Sequence, residues 1–317
     1  MTRPVLAVAV GLLVLATAPG TDQPPVVPSP PLPKSVPAPR AVTTEKNVVY
    51  DTIEKERLYL DVSAPKEGGP YPCIVLLHGG AWVGGSRKDL SVGDKGKDGT
   101  VGPSLIEEVA ARGYVVASVG YRLAPKHQFP AQIQDARAAV RFLRAGAKTY
   151  RIDPDKFAAA GFSAGGHLAL LLGLADKVDG WDAGGNTEQS SRVQCVVDFF
   201  GPTDLSLYNT ESIRDAYLVP VFGKSAKTDK EVFKKASPIT YVSKTAPPVL
   251  MFHGTFDLVV PVVHSETLHK KLQDAGATSE LVTVFAEGHG WNGRAFTKSV
   301  NTALAFLDTH LKGKDKK

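Results

Sequence analysis

The chain has 317 residues, of which 43% are hydrophobic and 22% charged, an ordinary globular composition that is enough for one large core or two small ones. Its formal net charge is +5, and the last six residues, with four lysines and one aspartate, supply most of it. The rest of the chain is nearly neutral. The charge therefore argues against a nucleic-acid partner, and we interpret residues 314–317 as a solvated basic tail.

The first 20 residues have the pattern of a secretory signal peptide. A basic start at Arg3 is followed by an apolar run from Val5 to Ala18, which is shorter than the roughly 20 residues that span a bilayer. We therefore predict a cleaved signal peptide over residues 1–20, a secreted or periplasmic protein, and no stable membrane span after cleavage. An uncleaved amino-terminal anchor is the alternative.

Two further segments follow this amino terminus. Residues 21–42 are rich in proline and predict an extended, semi-rigid linker. Residues 43–313 form the predicted catalytic domain, in which strand and helix patterns alternate. Short apolar runs predict strands at residues 47–50, 57–63, 73–77, 114–119, 157–160, 193–199, 249–252 and 281–285. Helical spacing of apolar residues predicts helices around 105–112, 133–143, 167–174, 268–275 and 300–311. After an opening antiparallel pair, this alternation predicts an α/β fold with a mostly parallel central sheet flanked by helices.

The two cysteines, Cys73 and Cys195, each lie in a predicted strand. If the strand that leads to Ser163 lies between their strands, they are about 10 Å apart, which is beyond the reach of a disulfide. We expect two buried free thiols.

Ser163 lies in the sequence GFSAGG at residues 161–166, between a predicted strand and a predicted helix. A serine on a sharp strand-to-helix turn, with glycines two residues before and after it, is a nucleophile elbow. The turn holds the serine in a strained backbone conformation, and flanking side chains would collide with the neighbouring strand or helix. The alternative is an ordinary glycine-rich turn. We take Ser163 as the candidate nucleophile.

An activated serine needs a base, and the base needs an acid that orients it. His289 lies in the glycine-flanked loop EGHGW between the last predicted strand and helix, where an imidazole can transfer protons at physiological pH. Asp257 lies in HGTFDLVVP, just past the preceding strand, and the order serine, aspartate, histidine is that of α/β-hydrolases. A turn or cap aspartate is the alternative for Asp257. The rival acid is Asp204, which we interpret as a cap or loop anchor.

The motif HGGAW at residues 78–82 follows the first buried strand. Its small residues would let backbone N–H groups point at an oxyanion. We expect the donors to be Gly80, Ala81 and Ala164, and we expect His78 to brace the loop. Trp82 is either a packing residue or a wall of the acyl pocket. Trp82 and Trp291 are the candidate substrate-binding residues.

Seven motifs occur in order along the chain: HGGAW, YRLAP at 121–125, FPA at 129–131, GFSAGG, FGPTDL at 200–205, HGTFDLVVP at 253–261 and GHGW at 288–291. Over roughly residues 45–310 the chain resembles the esterase branch of the α/β-hydrolases. It is similar to the hormone-sensitive-lipase-like carboxylesterases and more similar to the bacterial bifunctional feruloyl- and acetyl-xylan-esterase-like group. The resemblance implies the α/β-hydrolase fold, with Ser163, Asp257 and His289 as the catalytic triad and the oxyanion donors named above.

Three features depart from the lipase-like pattern. A proline-rich linker stands where that group usually has a helical cap, Ala81 replaces the third glycine of HGGG, and His167 follows GFSAGG. All three favour the xylan-esterase-like group and imply a small cap or none. We interpret His167 as a structural residue of the first helical turn, and Arg122 and Asp135 as a structural pair. The polar segments 84–102 and 205–247 are either a rim of the site or solvated insertions.

These residues predict a secreted serine esterase that hydrolyses short-chain carboxylic esters, namely acetyl or feruloyl groups on polysaccharide, through an acyl-enzyme. We expect no metal and no organic cofactor, because the sequence has no HExxH, CxxC or GxxxxGK[ST] motif. A generic short-chain carboxylesterase or lipase-like esterase is the nearest alternative. A non-catalytic hydrolase-fold binding protein is the alternative from another class. The oligomeric state is left open.

Overall fold

The computed structural model of the chain describes residues 39–53, 55–93, 102–208, 218–224 and 229–313. The predicted signal peptide, the predicted basic tail and most of the predicted linker lie outside these residues. Parts of the polar segments 84–102 and 205–247 also lie outside them. Within the described part of the chain, no helix is long and apolar enough to cross a membrane.

One mixed sheet of eight strands runs through the described part of the chain. The strands are β1 (Val42–Ile53), β2 (Glu56–Pro65), β3 (Tyr71–Leu77), β4 (Val115–Val119), β5 (Ile152–Phe162), β6 (Cys195–Phe199), β7 (Val249–Gly254) and β8 (Ser279–Val284). Their order across the sheet is β1-β2-β4-β3-β5-β6-β7-β8. The contacts β1–β2 and β2–β4 are antiparallel, and all others are parallel. This confirms the predicted opening pair and the mostly parallel sheet.

Helices cover both faces of the sheet. They are α1 (Lys88–Ser91), α2 (Leu105–Ala110), α3 (Ala131–Ala145), α4 (Ala147–Tyr150), α5 (Ala164–Leu174), α6 (Lys230–Ala236), α7 (Val263–Asp274) and α8 (Gly293–Leu307). Alternate residues of β3 point to opposite faces, as strand geometry requires. Cys73, Val75 and Leu77 pack in the core with α3, α5 and α7. Ile74 and Leu76 pack in the core with α2 and α8.

The central strands and α3 follow directly from their residue patterns. Every residue of β3, β4, β6 and β7 is buried, as expected for continuous apolar strands that are covered on both faces. Helix α3 buries its predicted stripe of Ile133, Ala136, Val140 and Leu143. Burial of each of the isoleucine, valine and leucine side chains stabilises the fold by roughly 1.5–3 kcal/mol. The apolar face of α3 therefore fixes this helix on the sheet.

Some predicted element boundaries differ from the structure by a few residues. The predicted strand at 193–199 begins only at Cys195. At Gln194 the backbone N–H donates to the Phe157 carbonyl at 2.7 Å, and the side-chain oxygen accepts from the Phe157 N–H at 2.6 Å. The predicted strand at 281–285 is Ser279–Val284 and stops before Ala286, which has φ of 62°. The short helices α1 and α4 were not predicted.

Two expectations about individual side chains are confirmed. Cys73 and Cys195 are buried free thiols, and they lie on β3 and β6 with β5 between them. Arg122 and Asp135 form a buried ion pair, with Nη2 and Oδ1 2.7 Å apart. The Arg122 backbone N–H also donates to Asp135 at 2.8 Å. This pair fixes the loop after β4 to the amino-terminal part of α3.

Candidate active site

Ser163 lies on the sharp turn between β5 and α5, with φ 53° and ψ −119°. A residue with a side chain stays in such a strained conformation only where the surrounding structure holds it. Here the Ser163 N–H donates to the Phe199 carbonyl at 2.8 Å, and its own carbonyl accepts from the His167 N–H at 3.0 Å. Backbone hydrogen bonds to β6 and to α5 therefore hold Ser163 in this strained conformation.

The glycines on either side of Ser163 are required by close backbone contacts. A Cβ on Gly161 would lie 2.2 Å from the Gly165 carbonyl oxygen, and a Cβ on Gly165 would lie 2.2 Å from the Leu77 carbonyl oxygen. Both distances are far below van der Waals contact. The predicted reason for these glycines is confirmed: β5, α5 and the end of β3 meet without room for a side chain.

The structure brings Ser163, His289 and Asp257 together, although more than 90 residues separate the serine from the other two. The Ser163 hydroxyl lies 2.8 Å from His289 Nε2, and His289 Nδ1 lies 2.7 Å from Asp257 Oδ2. Asp257 follows β7 and His289 follows β8, so all three stand at the carboxyl ends of parallel strands. This geometry allows Ser163 to give its proton to His289 while Asp257 holds the imidazole.

Asp257 is only 5% exposed and is surrounded by hydrogen-bond donors. Its Oδ1 accepts from the backbone N–H groups of Val259 and Val260, each at 2.9 Å. Burial alone would raise the pKa of Asp257, but hydrogen bonds from His253, His289 and the Val260 backbone outweigh it and lower this pKa to about 2. Asp257 is therefore ionised at neutral pH, and its charge can stabilise an imidazolium.

His253 supports Asp257 from inside the protein, a role that was not predicted from the sequence. It is fully buried at the end of β7. Its Nε2 lies 2.7 Å from the Val260 carbonyl and 3.4 Å from Asp257 Oδ2, and its Nδ1 lies 2.7 Å from the Ser265 hydroxyl. With the proton on Nε2, the ring donates towards both oxygens and accepts from Ser265. The only sequence signal was its place four residues before Asp257.

Phe200 packs against the imidazole of His289 and was also not singled out from the sequence. It has φ of 48°, and its ring centroid lies 4.9 Å from that of His289 at an interplanar angle of 65°. Trp291 also packs against Phe200, with ring centroids 5.2 Å apart, and its indole N–H donates to Ser299 on α8 at 3.1 Å. Trp291, a predicted substrate-binding residue, is thus half-buried in the aromatic group beside His289.

The HGGAW loop lies directly against the nucleophile. A Cβ on Gly79 would be 3.5 Å from the Cβ of Ser163. The backbone N–H groups of the predicted donors, Gly80, Ala81 and Ala164, form no hydrogen bond with any residue that the structure describes. These groups are therefore free to bind an oxyanion.

His78 braces this loop, as its position in the motif suggested. Its ring is buried and stacks on Tyr121, with centroids 4.2 Å apart and planes at 7°. Its Nδ1 lies 2.7 Å from the Gly79 carbonyl, and the Tyr121 hydroxyl donates to the His78 carbonyl at 2.9 Å. Burial lowers the pKa of His78, which keeps the ring neutral in this arrangement.

The structure also locates the residues for which two interpretations were open. Trp82 is 3% exposed, and its indole N–H donates to Nδ1 of the buried His167 at 3.3 Å. Such a side chain offers a substrate very little surface, so the geometry fits the packing alternative. Asp204 caps a short turn and accepts from the Ser206 N–H at 2.9 Å and hydroxyl at 2.7 Å. This agrees with its interpretation as a cap.

Several known proteins of similar sequence are esterases by name. Esterase LipC of Mycobacterium tuberculosis is 33% identical over 230 residues, which are 70% of this chain and 54% of LipC. The chain spans about half the length of the curated relatives it matches.

Solved structures with the same fold cover nearly the whole described chain. A carbohydrate esterase from gut microbiota, solved in truncated form, has a TM-score of 0.70 and 29% identity and covers 88% of this chain and 100% of its own. The thermophilic esterase Est2 of the planctomycete Thermogutta terrifontis has a TM-score of 0.68 and 25% identity and covers 90% of this chain and 97% of its own. Est2 has also been solved with propionate and with butyrate bound.

The family assignment agrees with the sheet order, the turn at Ser163 and these relatives. The model of the BD-FAE family matches residues 60–272, more than half of the chain. The chain belongs to the BD-FAE family and has the α/β-hydrolase fold.

Proposed function

We propose that this chain is a serine esterase, a carboxylic ester hydrolase with Ser163, His289 and Asp257 as its catalytic triad. One observation carries the proposal: an unbroken hydrogen-bonded chain from Asp257 through His289 to Ser163, with distances of 2.7 and 2.8 Å. The nucleophile of that chain stands on a strained turn, which exposes it at the edge of the sheet.

In the proposed reaction, the Ser163 oxygen attacks the ester carbonyl carbon while His289 accepts the hydroxyl proton. The tetrahedral intermediate then collapses, His289 returns this proton to the leaving alcohol, and the acyl group stays on Ser163. Water repeats both steps with His289 as base and releases the carboxylic acid. Ser163 supplies the nucleophile and His289 moves the proton, so the steps require no metal or organic cofactor.

We assign the oxyanion of the intermediate to the N–H groups of Gly80, Ala81 and Ala164. Two observations support this assignment: the loop lies against Ser163, and these N–H groups have no hydrogen-bond partner among the described residues. Preorganised backbone donors stabilise the charge that develops in the transition state, and one such donor contributes roughly 100- to 1,000-fold in rate.

For the substrate we propose short acyl esters, with acetyl or feruloyl groups on an extracellular polysaccharide as the first candidate. The gut carbohydrate esterase supports the carbohydrate part, and the propionate and butyrate complexes of Est2 support a short acyl group. Trp291 is the proposed contact to the substrate. The proposed secretion rests only on the amino-acid sequence of residues 1–20.

A generic short-chain carboxylesterase is the second candidate, because the curated relatives are an esterase and a carboxylic ester hydrolase without a carbohydrate in their names. Acetate release from acetylated xylan separates the two, with p-nitrophenyl acetate, butyrate and octanoate as comparison substrates and Ser163→Ala as the blank. Release from xylan, with activity falling beyond acetate, supports the deacetylase. Preference for butyrate or octanoate without release from xylan supports the generic esterase. No hydrolysis of any substrate would indicate a binding protein.

A further inference from the structure

The loop that carries two of the proposed oxyanion donors has an unusual backbone. Ala81 and Trp82 are consecutive residues with φ of 51° and 60°, a left-handed conformation that residues with a side chain adopt only where other contacts hold them. The proposed donors Gly80 and Ala81 directly precede Trp82. Whatever holds Trp82 in this conformation therefore also determines where these two N–H groups point.

Two kinds of contact hold the loop. Within the backbone, the Gly80 carbonyl accepts from the Val83 and Gly84 N–H groups at 3.0 and 2.9 Å, and the Trp82 carbonyl accepts from the Ala124 N–H at 2.9 Å. The single side-chain anchor described for the loop beyond His78 is the Trp82 indole, which donates to His167 Nδ1 at 3.3 Å.

His167 is well suited to act as that acceptor. It lies on the first turn of α5, and its backbone N–H bonds to the Ser163 carbonyl. The ring is fully buried, and its Nε2 lies 2.7 Å from the Ala236 carbonyl. Because a carbonyl can only accept, Nε2 carries the proton and Nδ1 is left as the acceptor that Trp82 needs. Burial lowers the pKa of His167 to about 4, so the ring stays neutral at neutral pH.

We propose that His167 is a positioning residue for the oxyanion hole: through Trp82 it holds the N–H groups of Gly80 and Ala81 beside Ser163. The inference rests on the proposed esterase function. His167 touches no reacting atom and acts through the loop. Its second hydrogen bond, to Ala236 at the carboxyl end of α6, connects the loop to the 205–247 segment.

Three substitutions separate this role from general support of the fold. Trp82→Phe keeps an aromatic ring and removes the donor, and His167→Leu removes the acceptor. His167→Asn keeps an amide oxygen close to the position of Nδ1 and should restore the bond. Each removal has a matched control. Trp181→Phe deletes a buried indole N–H that has no partner among the described residues. His264→Leu deletes another buried histidine, which accepts from the Thr203 N–H.

Kinetics with p-nitrophenyl acetate, normalised to the active enzyme that a phosphonate titrates, give the first readout. Trp82→Phe and His167→Leu should lower kcat and kcat/KM together by about tenfold or more, with KM within about twofold. The reason is that the oxyanion develops in the transition state and is absent from the bound substrate. His167→Asn should recover most of this loss. Both control variants should keep kcat/KM within about threefold of the unchanged chain.

Hydrogen–deuterium exchange of the full chain gives a second readout that does not depend on activity. The peptide containing the Val83 and Gly84 N–H groups should exchange faster in His167→Leu and Trp82→Phe than in either control. Equal exchange in all variants, or unchanged kcat/KM in an active His167→Leu enzyme, overturns the positioning role and leaves the esterase proposal standing. If the unchanged chain hydrolyses no ester, the proposed function is wrong, whatever exchange rates the loop shows.

Discussion

The turn that carries Ser163 is held by backbone contacts, whereas Asp257 and His289 also depend on contacts with buried side chains. At the nucleophile, the Gly165 backbone approaches the Leu77 carbonyl so closely that no Cβ fits. At the acid, the ring of His253 lies within 3.4 Å of the Asp257 carboxylate. Backbone contacts leave glycine signatures in a sequence, while side-chain support leaves no comparable pattern.

The largest expected effect concerns Asp257. Asp257→Asn should lower kcat by roughly 10⁴-fold, because the amide favours the wrong imidazole tautomer and cannot stabilise an imidazolium. Asp204→Asn is the matched control and should keep kcat within about threefold, since its carboxylate caps a turn through Ser206. Steady-state kinetics with p-nitrophenyl acetate measure both. An active Asp257→Asn beside an inactive Asp204→Asn would show that the acid is misassigned.

At the turn that carries Ser163, one added methyl group should cause a large loss of stability. Gly165→Ala would place a Cβ 2.2 Å from the Leu77 carbonyl and 2.5 Å from the His78 carbonyl. Since both contacts are backbone atoms, the free energy of unfolding in urea should fall by about 3 kcal/mol or more. Gly185→Ala is the control, because its nearest atom would be 4.0 Å away, and it should change stability by less than about 1 kcal/mol. Equal losses in the two variants would contradict the close-contact explanation.

His253 should affect how stability depends on pH. The pKa of Asp257 is lowered from 3.8 to about 2, so its ionised form contributes stability that is present above about pH 4 and is lost as the pH falls towards 2. His253→Phe removes one of the donors that lower this pKa. The decrease in unfolding free energy between pH 5 and pH 2 should therefore be smaller by about 1 kcal/mol in this variant.

Ser265→Ala is the control for that experiment. It removes the hydroxyl that bonds His253 Nδ1 and leaves the Nε2 proton that faces Asp257. Its pH dependence should match that of the unchanged chain. An equal pH dependence in His253→Phe would mean that this ring does not contribute to the ionisation of Asp257.

Phe200 carries the smallest predicted effect. Its ring packs edge-on against His289, a contact of the kind that contributes about 0.5–1.5 kcal/mol. Phe200→Leu should therefore lower kcat by about two- to tenfold at saturating p-nitrophenyl acetate. Phe222→Leu, a buried ring that packs on Phe129 and Phe233, should leave kcat unchanged. Identical kcat values for the two variants would argue against a role for Phe200 in holding His289.

The sequence predicted the sheet, its order around β5 and the convergence of Ser163, Asp257 and His289. The sheet follows from apolar runs and their spacing, which are local properties of the chain, whereas the strand order around β5 and the convergence of the three residues follow from the motif order and the resemblance to the α/β-hydrolases. Element ends were less accurate where a side chain bonds to the backbone at the end of a strand, as Gln194 does to Phe157.

The side chains that support the site could not be predicted in the same way. His253 lies inside a recognised motif and His167 directly follows one. Their roles depend on the atoms that face them after folding, which are Asp257 for His253, and Trp82 and the Ala236 carbonyl for His167. These partners are between 4 and 85 residues away along the chain. Residue type and spacing do not encode such contacts, because burial and ring orientation follow from tertiary packing.

The most direct test of the central claim is to trap the acyl-enzyme. The full chain is mixed with p-nitrophenyl acetate, quenched in acid within the first turnovers, digested, and analysed by mass spectrometry. We expect one acetyl group on the peptide that contains Ser163, strongly reduced in His289→Ala and absent in Ser163→Ala. An acetyl group on a different residue, or undiminished ester hydrolysis by Ser163→Ala, would contradict the central claim.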